Sequence, residues 1–298
     1  MSGRRARARL PDTPHIGVHA MNRSRLATAT LALTTTILAA GCSSETPTQV
    51  PSPDATEVGH IHGLGIDPAD DTLYVATHFG LFHVTDDEEP TRVADRYQDT
   101  MAFTVVGPGH FLGSGHPDLR EDLPPHLGLI ESIDAGQTWR PLALQGKADF
   151  HILEPAGDVL YAYDATSGRL LRTKDRATFE EVLTAPLLSV AITETQDQLI
   201  ATTDQAQLIT INPETGETRK LGGPATTYLD TAPDGTLAAI APDGAIHISS
   251  DDGQDWKEVG SIGGQPAAFT ISDQGWYAAT DTTVLRSTDS GATWARVL

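Results

Sequence analysis

The chain has 298 residues, 20 basic against 40 acidic side chains, a formal net charge of −20 and a single cysteine. That balance excludes nucleic acid and anionic lipid surfaces as partners of the body of the protein, and one cysteine excludes an internal disulfide and a cysteine-built metal site. With 39% apolar residues the core must come from aliphatic and aromatic packing alone.

Arg23 and Arg25 precede an apolar run at 26–40 that ends in Leu38-Ala39-Ala40-Gly41-Cys42. A charged start, a short apolar stretch and small residues before a cysteine read as an export signal, and the run is too short for a membrane span. The segment resembles a bacterial lipobox. The resemblance implies cleavage before Cys42, lipid attachment at Cys42, and an extracytoplasmic protein anchored to the cell membrane. Residues 1–41 are the leader, with Met21 as an alternative start. Residues 42–56, rich in Ser, Pro and Thr, form a flexible tether. The leader holds six arginines and one aspartate, so residues 42–298 carry a net charge of −25.

From residue 57 onward, apolar runs at 60–67, 101–106, 150–154, 188–193, 228–231 and 267–272 recur about every 40 residues. Each is followed by a turn and a β-rich run such as Thr72-Leu73-Tyr74-Val75-Ala76-Thr77. Two further strands flank a hairpin. In three units that hairpin reads S-x-D-x-G-x-x-W, starting at Ser132, Ser249 and Ser287. The separations of 117 and 38 leave room for two hidden copies, which are Thr173-Lys174-Asp175-Arg176-Ala177-Thr178-Phe179 and the turn at 212–218. A sixth turn lies at 85–90. Sustained helical periodicity is absent, and the prediction is an all-β, six-bladed propeller of four-stranded blades.

The eight-residue motif resembles the Asp-box, or BNR repeat, of the sialidase-like superfamily, whose bacterial secreted members are often labelled glycosyl hydrolases. The resemblance covers nearly all of 57–298. It implies that Asp134, Asp251 and Asp289 are structural, on the rim away from any active site. Their chemistry agrees: the carboxylate accepts turn N–H groups, Gly supplies a positive φ, and Trp is a large apolar anchor. The final blade ends with 294–298 as its outer strand. The ring closes by blade-on-blade packing, or by an edge strand from 54–58.

In such a ring the opposite rim collects His60 and His62 at the first inner strand, His78 in the next loop, His116 and His126 in the blade-two loop, and His151 on the third inner strand. His60 and His62, two apart on a strand, share a face. Aligning Asp67-Pro68 with Glu154-Pro155 places His151 at the position of Leu64. Imidazoles suit Zn, Cu or Ni, and Met101 adds a thioether suited to Cu(I). The insertion at 113–128 overhangs this rim, and long loops on rigid scaffolds carry function. His83, His110 and His247 map elsewhere.

A sialidase would require an arginine triad, a tyrosine nucleophile and an Asp acid/base. His60-Ile61-His62-Gly63 stands where the first arginine belongs, and only Arg120 and Arg169 map to the rim. Another glycosidase would use two rim carboxylates, with Asp118, Asp122 and Asp149 as the leading candidates and Asp164, Asp204, Asp243 and Asp281 in equivalent places. The leading expectation is a monomeric, lipid-anchored propeller whose histidine rim binds a ligand, a transition-metal ion such as copper or zinc above all. The alternatives are a glycoside hydrolase acting on glycans and a protein-interaction scaffold, as in propellers resembling photosystem assembly factors.

Overall fold

The computed structural model describes residues 57–85, 89–193 and 197–298. The expected leader at 1–41, Cys42 and the expected tether to residue 56 lie outside the described residues, as does the centre of the first turn at 86–88. Among the described residues every regular element is a strand, and the strands form six four-stranded sheets. Blade one is β1 (Ile61–Ile66), β2 (Leu73–Thr77), β3 (Gly80–Val84) and β4 (Thr91–Arg92). Blade two is β5 (Asp99–Gly107), β6 (His110–His116), β7 (Leu129–Ser132) and β8 (Arg140–Ala143). Blade three is β9 (Phe150–Ala156), β10 (Val159–Asp164), β11 (Arg169–Thr173) and β12 (Glu180–Thr184). Blade four is β13 (Leu187–Ile192), β14 (Leu199–Thr203), β15 (Leu208–Ile211) and β16 (Thr218–Lys220). Blade five is β17 (Tyr228–Thr231), β18 (Leu237–Ile240), β19 (Ala245–Ser249) and β20 (Lys257–Ser261). Blade six is β21 (Ala268–Ser272), β22 (Gly275–Thr280), β23 (Thr283–Ser287) and β24 (Ala295–Arg296).

The six apolar runs read from sequence are the six inner strands, displaced by two residues or fewer at either end. Second strands such as Leu73–Thr77 are buried along their whole length, because each sheet packs a neighbour on both faces. The interior divides into six apolar clusters, one at each junction between adjacent blades. Between blades one and two, Tyr74, Leu81 and Val93 meet Phe103, Phe111 and Trp139. Phe111 is fully buried there, edge-on to Tyr74 at 4.7 Å and to Phe103 at 5.3 Å. Closure uses the same device: Leu64, Val75 and Phe82 of blade one pack on Tyr277 and Val284 of blade six, with Val58 and Leu298 alongside. Residues 57–59 add no strand, and the rest of the edge strand expected at 54–58 lies outside the described residues.

The Asp-box hairpins are built as their chemistry requires. Ser132 donates its hydroxyl to Asp134 at 2.8 Å and accepts the Gly136 N–H, while Asp134 accepts the Thr138 N–H and hydroxyl. The same set recurs at Ser287–Asp289, and at Ser249–Asp251 without the hydroxyl, because Asp255 stands in the threonine's place. These bonds, the Thr138 and Thr293 hydroxyls foremost for Asp134 and Asp289, hold the carboxyls below their usual range, at about 2 for Asp289. The box glycine is required by position as well as by its φ of 82°: a Cβ on Gly136 would stand 2.6 Å from Leu81 of the preceding blade. Asp175 accepts the Ala177 and Thr178 N–H groups and the Thr173 hydroxyl, so the shortened copy keeps its bonds.

Candidate metal centres on the channel rim

The inner strands begin at one mouth of the central channel, and there the ladder is irregular. The β1–β2 register breaks between Ile61 and Gly63, and the β5–β6 register between Thr100 and Ala102. In β9 one residue between Phe150 and Ile152 is skipped, and in β13 one between Leu187 and Ser189. Each break is a β-bulge, which turns a side chain out of the regular alternation. The bulged residues are His62, Met101, His151 and Leu188. His151 therefore occupies the position of His62. The alignment through Asp67-Pro68, which puts it at Leu64, is two residues off because Glu154-Pro155 lies inside a longer strand.

Two clusters form at this rim. At the junction of blades one and two, His62 Nε2 lies 3.4 Å from Asp99 Oδ1, and His78 Nδ1 lies 3.0 Å from Asp99 Oδ2. At the junction of blades two and three, Asp149 Oδ2 is 3.2 Å from His151 Nε2, 3.8 Å from His116 Nε2 and 3.9 Å from His126 Nδ1. In each triad, His62–His78–Asp99 and His116–His126–Asp149, one donor atom per residue falls within 4.8 Å of the other two. A tetrahedral shell with bonds near 2.0–2.1 Å spaces its donors by about 3.4 Å, so both triads can close on a transition metal with small adjustments.

The polar bookkeeping points the same way. Among the described residues, His62 Nε2, Asp99 Oδ1, His126 Nδ1 and Asp149 Oδ1 are buried with no hydrogen-bond partner. A buried polar atom without a partner costs about 1–3 kcal/mol. Four such atoms belong to the two triads. Burial works against ionisation of Asp149, but the hydrogen bond from His151 and the charges of His151, His116 and His126 leave its carboxyl below the ordinary value.

The fold supplies these side chains from equivalent places. Asp99 and Asp149 stand two residues before the bulges of blades two and three, and His60 stands two before that of blade one. Backbone carbonyls of His60 and Asp149 accept the N–H groups of His78 and Ala165, which open the second-to-third-strand loops. Asp164 accepts the Asp149 N–H at 3.1 Å and so fixes the carboxylate's backbone. Gly115 pairs with Thr100 at a φ of 140°, and a Cβ there would lie 2.0 Å from the Asp99 carbonyl oxygen. Only glycine lets the end of β6 pass this close to the first triad.

Known proteins place the fold and go no further. No protein-family model matches the chain, and no curated protein matches it either. Solved structures do. A gluconolactonase from Xanthomonas campestris superposes with a TM-score of 0.63 at 11% identity, over 77% of this chain and 86% of that one. YCF48 bound to a D1 peptide gives 0.52 at 17% identity, over 80% and 82%. Virginiamycin B lyase from Staphylococcus aureus gives 0.54 at 12%, over 80% and 84%. The chain is a six-bladed propeller similar to proteins of diverse activity.

The remaining predicted residues divide. His60 is exposed, edge-on to His62 at 5.0 Å and 3.8 Å from Asp281 of blade six, so it flanks the first triad without joining it. Four of the six rim histidines thus fall in two separate triads and His151 adjoins the second through Asp149, because adjacent junctions each gather their own loop and strand start. Residues 113–116 of the predicted insertion continue β6, and the loop proper is 117–128. Asp118 is buried under Arg120 and accepts the Tyr97 N–H, and the Arg120 hydrogen bonds hold its carboxyl well below the usual range. Asp118 braces the loop. Asp122 is exposed on it. Arg120 is committed to Asp118 and Asp95, and Arg169 to Ser167, Asp164 and Glu181. His110 pairs with buried Glu131 at 2.8 Å, away from the rim.

Sequence reading missed Asp99 as a triad member and Asp281 as the partner of His60. The shared spacing in His60-x-His62, Asp99-x-Met101 and Asp149-x-His151 is the signal that marks them. It also missed Glu154 and Asp230, which line the channel from blades three and five beside His62 and His151. Burial in the channel raises both carboxyls, and the Asp230 charge adds to the shift of Glu154; Asp230 is pushed up to about 6.

Proposed function

We propose that this protein is a metal-binding propeller of the cell surface, taking two transition-metal ions per chain at the His62–His78–Asp99 and His116–His126–Asp149 triads. The observation that carries the reading is the concentration, in those two clusters, of buried nitrogen and oxygen atoms that make no hydrogen bond. Nitrogen and carboxylate donors of this kind suit Zn(II) and Cu(II). Lipid attachment at Cys42 would hold the propeller outside the cytoplasm, where its net charge of −25 favours cations over anionic partners.

The test is metal stoichiometry on the purified chain by competition titration with Zn(II) and Cu(II). The expected result is two ions, falling to one in a His62→Ala/His78→Ala variant and to the other one in His116→Ala/His126→Ala. Binding unchanged in both variants would sink the assignment.

A further inference from the structure

The two triads are variants of one design displaced by one blade, and they differ in the leading bulge residue and in the number of loop imidazoles. At the first junction, the ligands are the bulge residue of the leading blade, His62, a loop imidazole, His78, and the residue two before the bulge of the trailing blade, Asp99. Moved on by one blade, the trailing carboxylate is Asp149 and the loop imidazoles are His116 and His126. The leading bulge residue is then Met101. Resting on the metal-binding reading, we propose that the junction of blades two and three is a Cu(I) site in which the Met101 thioether stands where His62 stands in the first site. The first junction, with imidazole in that place, is the site for a divalent ion.

Three observations support this. Met101 is half-buried, yet it belongs to none of the six apolar clusters among the described residues, although the next two residues, Ala102 and Phe103, pack in two of them. An apolar side chain held at the rim by a bulge and left out of the core is placed for something other than packing. Met101 is also the one sulfur-bearing residue in 57–298. Finally, the carboxylate–imidazole separations at the triad imidazoles widen from 3.0 and 3.4 Å at the first site to 3.8 and 3.9 Å at the second. Soft thioether ligands select Cu(I), whereas imidazole and carboxylate suit Cu(II) and Zn(II). No electron transfer between the sites is invoked; each ion is bound in the state in which it arrives.

Copper K-edge absorption and an anaerobic Cu(I) competition titration on the whole chain, wild type beside Met101→Leu, decide the matter. Leucine keeps the volume and removes the sulfur. The expected result is copper–sulfur scattering in the wild type that disappears in the variant, with Cu(I) affinity falling by at least about tenfold and Zn(II) binding at the first site unchanged. Cu(I) bound equally well by the variant, with only nitrogen and oxygen scattering in both, would overturn the Met101 assignment while leaving the triads as metal sites. Failure of the wild type to bind Cu(I), Cu(II) or Zn(II) would instead remove the underlying reading together with this one.

Discussion

At Asp149 one buried carboxylate faces three imidazoles, and its second oxygen has no partner. The carboxyl is held below its ordinary value, so it is an anion at neutral pH, placed to take a cation. Asp149→Asn preserves shape and removes the charge. It should abolish one of two metal equivalents in a calorimetric titration while the first site titrates normally. Asp118 belongs to the same loop region but to a different chemistry. Its bonds to Arg120 and the Tyr97 N–H make it a brace. Asp118→Ala leaves that part-buried N–H and the Arg120 guanidinium without their carboxylate and should cost about 1–3 kcal/mol in chemical denaturation. Because the Asp118 carboxyl is depressed in the folded state, its contribution is present above the unfolded pKa and is lost as pH falls below it.

Among the elements, the inner strands and their neighbours carry both the scaffold and the site. The bulges at His62, Met101 and His151 exist because each inner strand has one residue more than its partner at the channel mouth. Gly115 sits beside the second of these, on β6, against the backbone of Asp99. Gly115→Ala forces a residue with a Cβ into a positive φ and pushes on the carbonyl of the triad residue Asp99. It should lower stability by about 1–3 kcal/mol and weaken metal at both sites, since the Met101 nitrogen also lies 2.8 Å from the added Cβ and His116 is the next residue, which paired titrations would read. Phe111, near the other end of β6 in the junction core, tests the scaffold alone. Phe111→Ala should cost about 3–5 kcal/mol, with both metal equivalents retained in whatever fraction stays folded.

For the whole molecule, six junctions of similar make close a ring without a disulfide, and the channel through its middle holds Glu154 and Asp230. Both carboxyls are raised, so the folded state keeps protons that the unfolded chain has lost. Stability therefore falls as pH rises from the unfolded carboxylate range, for Asp230 through about 6, and each carboxyl's cost is complete only above its own raised value. Glu154→Gln removes one member of the pair. Its melting temperature should exceed that of the wild type at pH 7.5 and match it near pH 4, a difference that a pair of thermal scans reads directly. Metal acts in the opposite sense. An ion bound only by the folded ring at a hundredfold excess over its Kd adds about 2.7 kcal/mol, so Zn(II) should raise the melting temperature and a chelator should reverse it.

The architecture was legible in the amino-acid order because it depends on local chemistry repeated six times. An apolar run every 40 residues or so and a Ser-Asp-Gly-Trp hairpin are readable one blade at a time, and strand ends came within two residues. The histidines destined for the rim were also legible, since place in the blade determines place on the ring. Their division into two triads was not, because each triad joins residues of adjacent blades whose distance depends on how the sheets pack. Asp99 carries no local mark that separates it from the many solvated carboxylates of an acidic chain; only the close approach of β1, β5 and the loop at His78 makes it a partner. The same holds for Asp118, a catalytic candidate by sequence and a brace once Arg120 folds over it. Local pattern determined the fold and the rim; packing across blade junctions decided which side chains meet there.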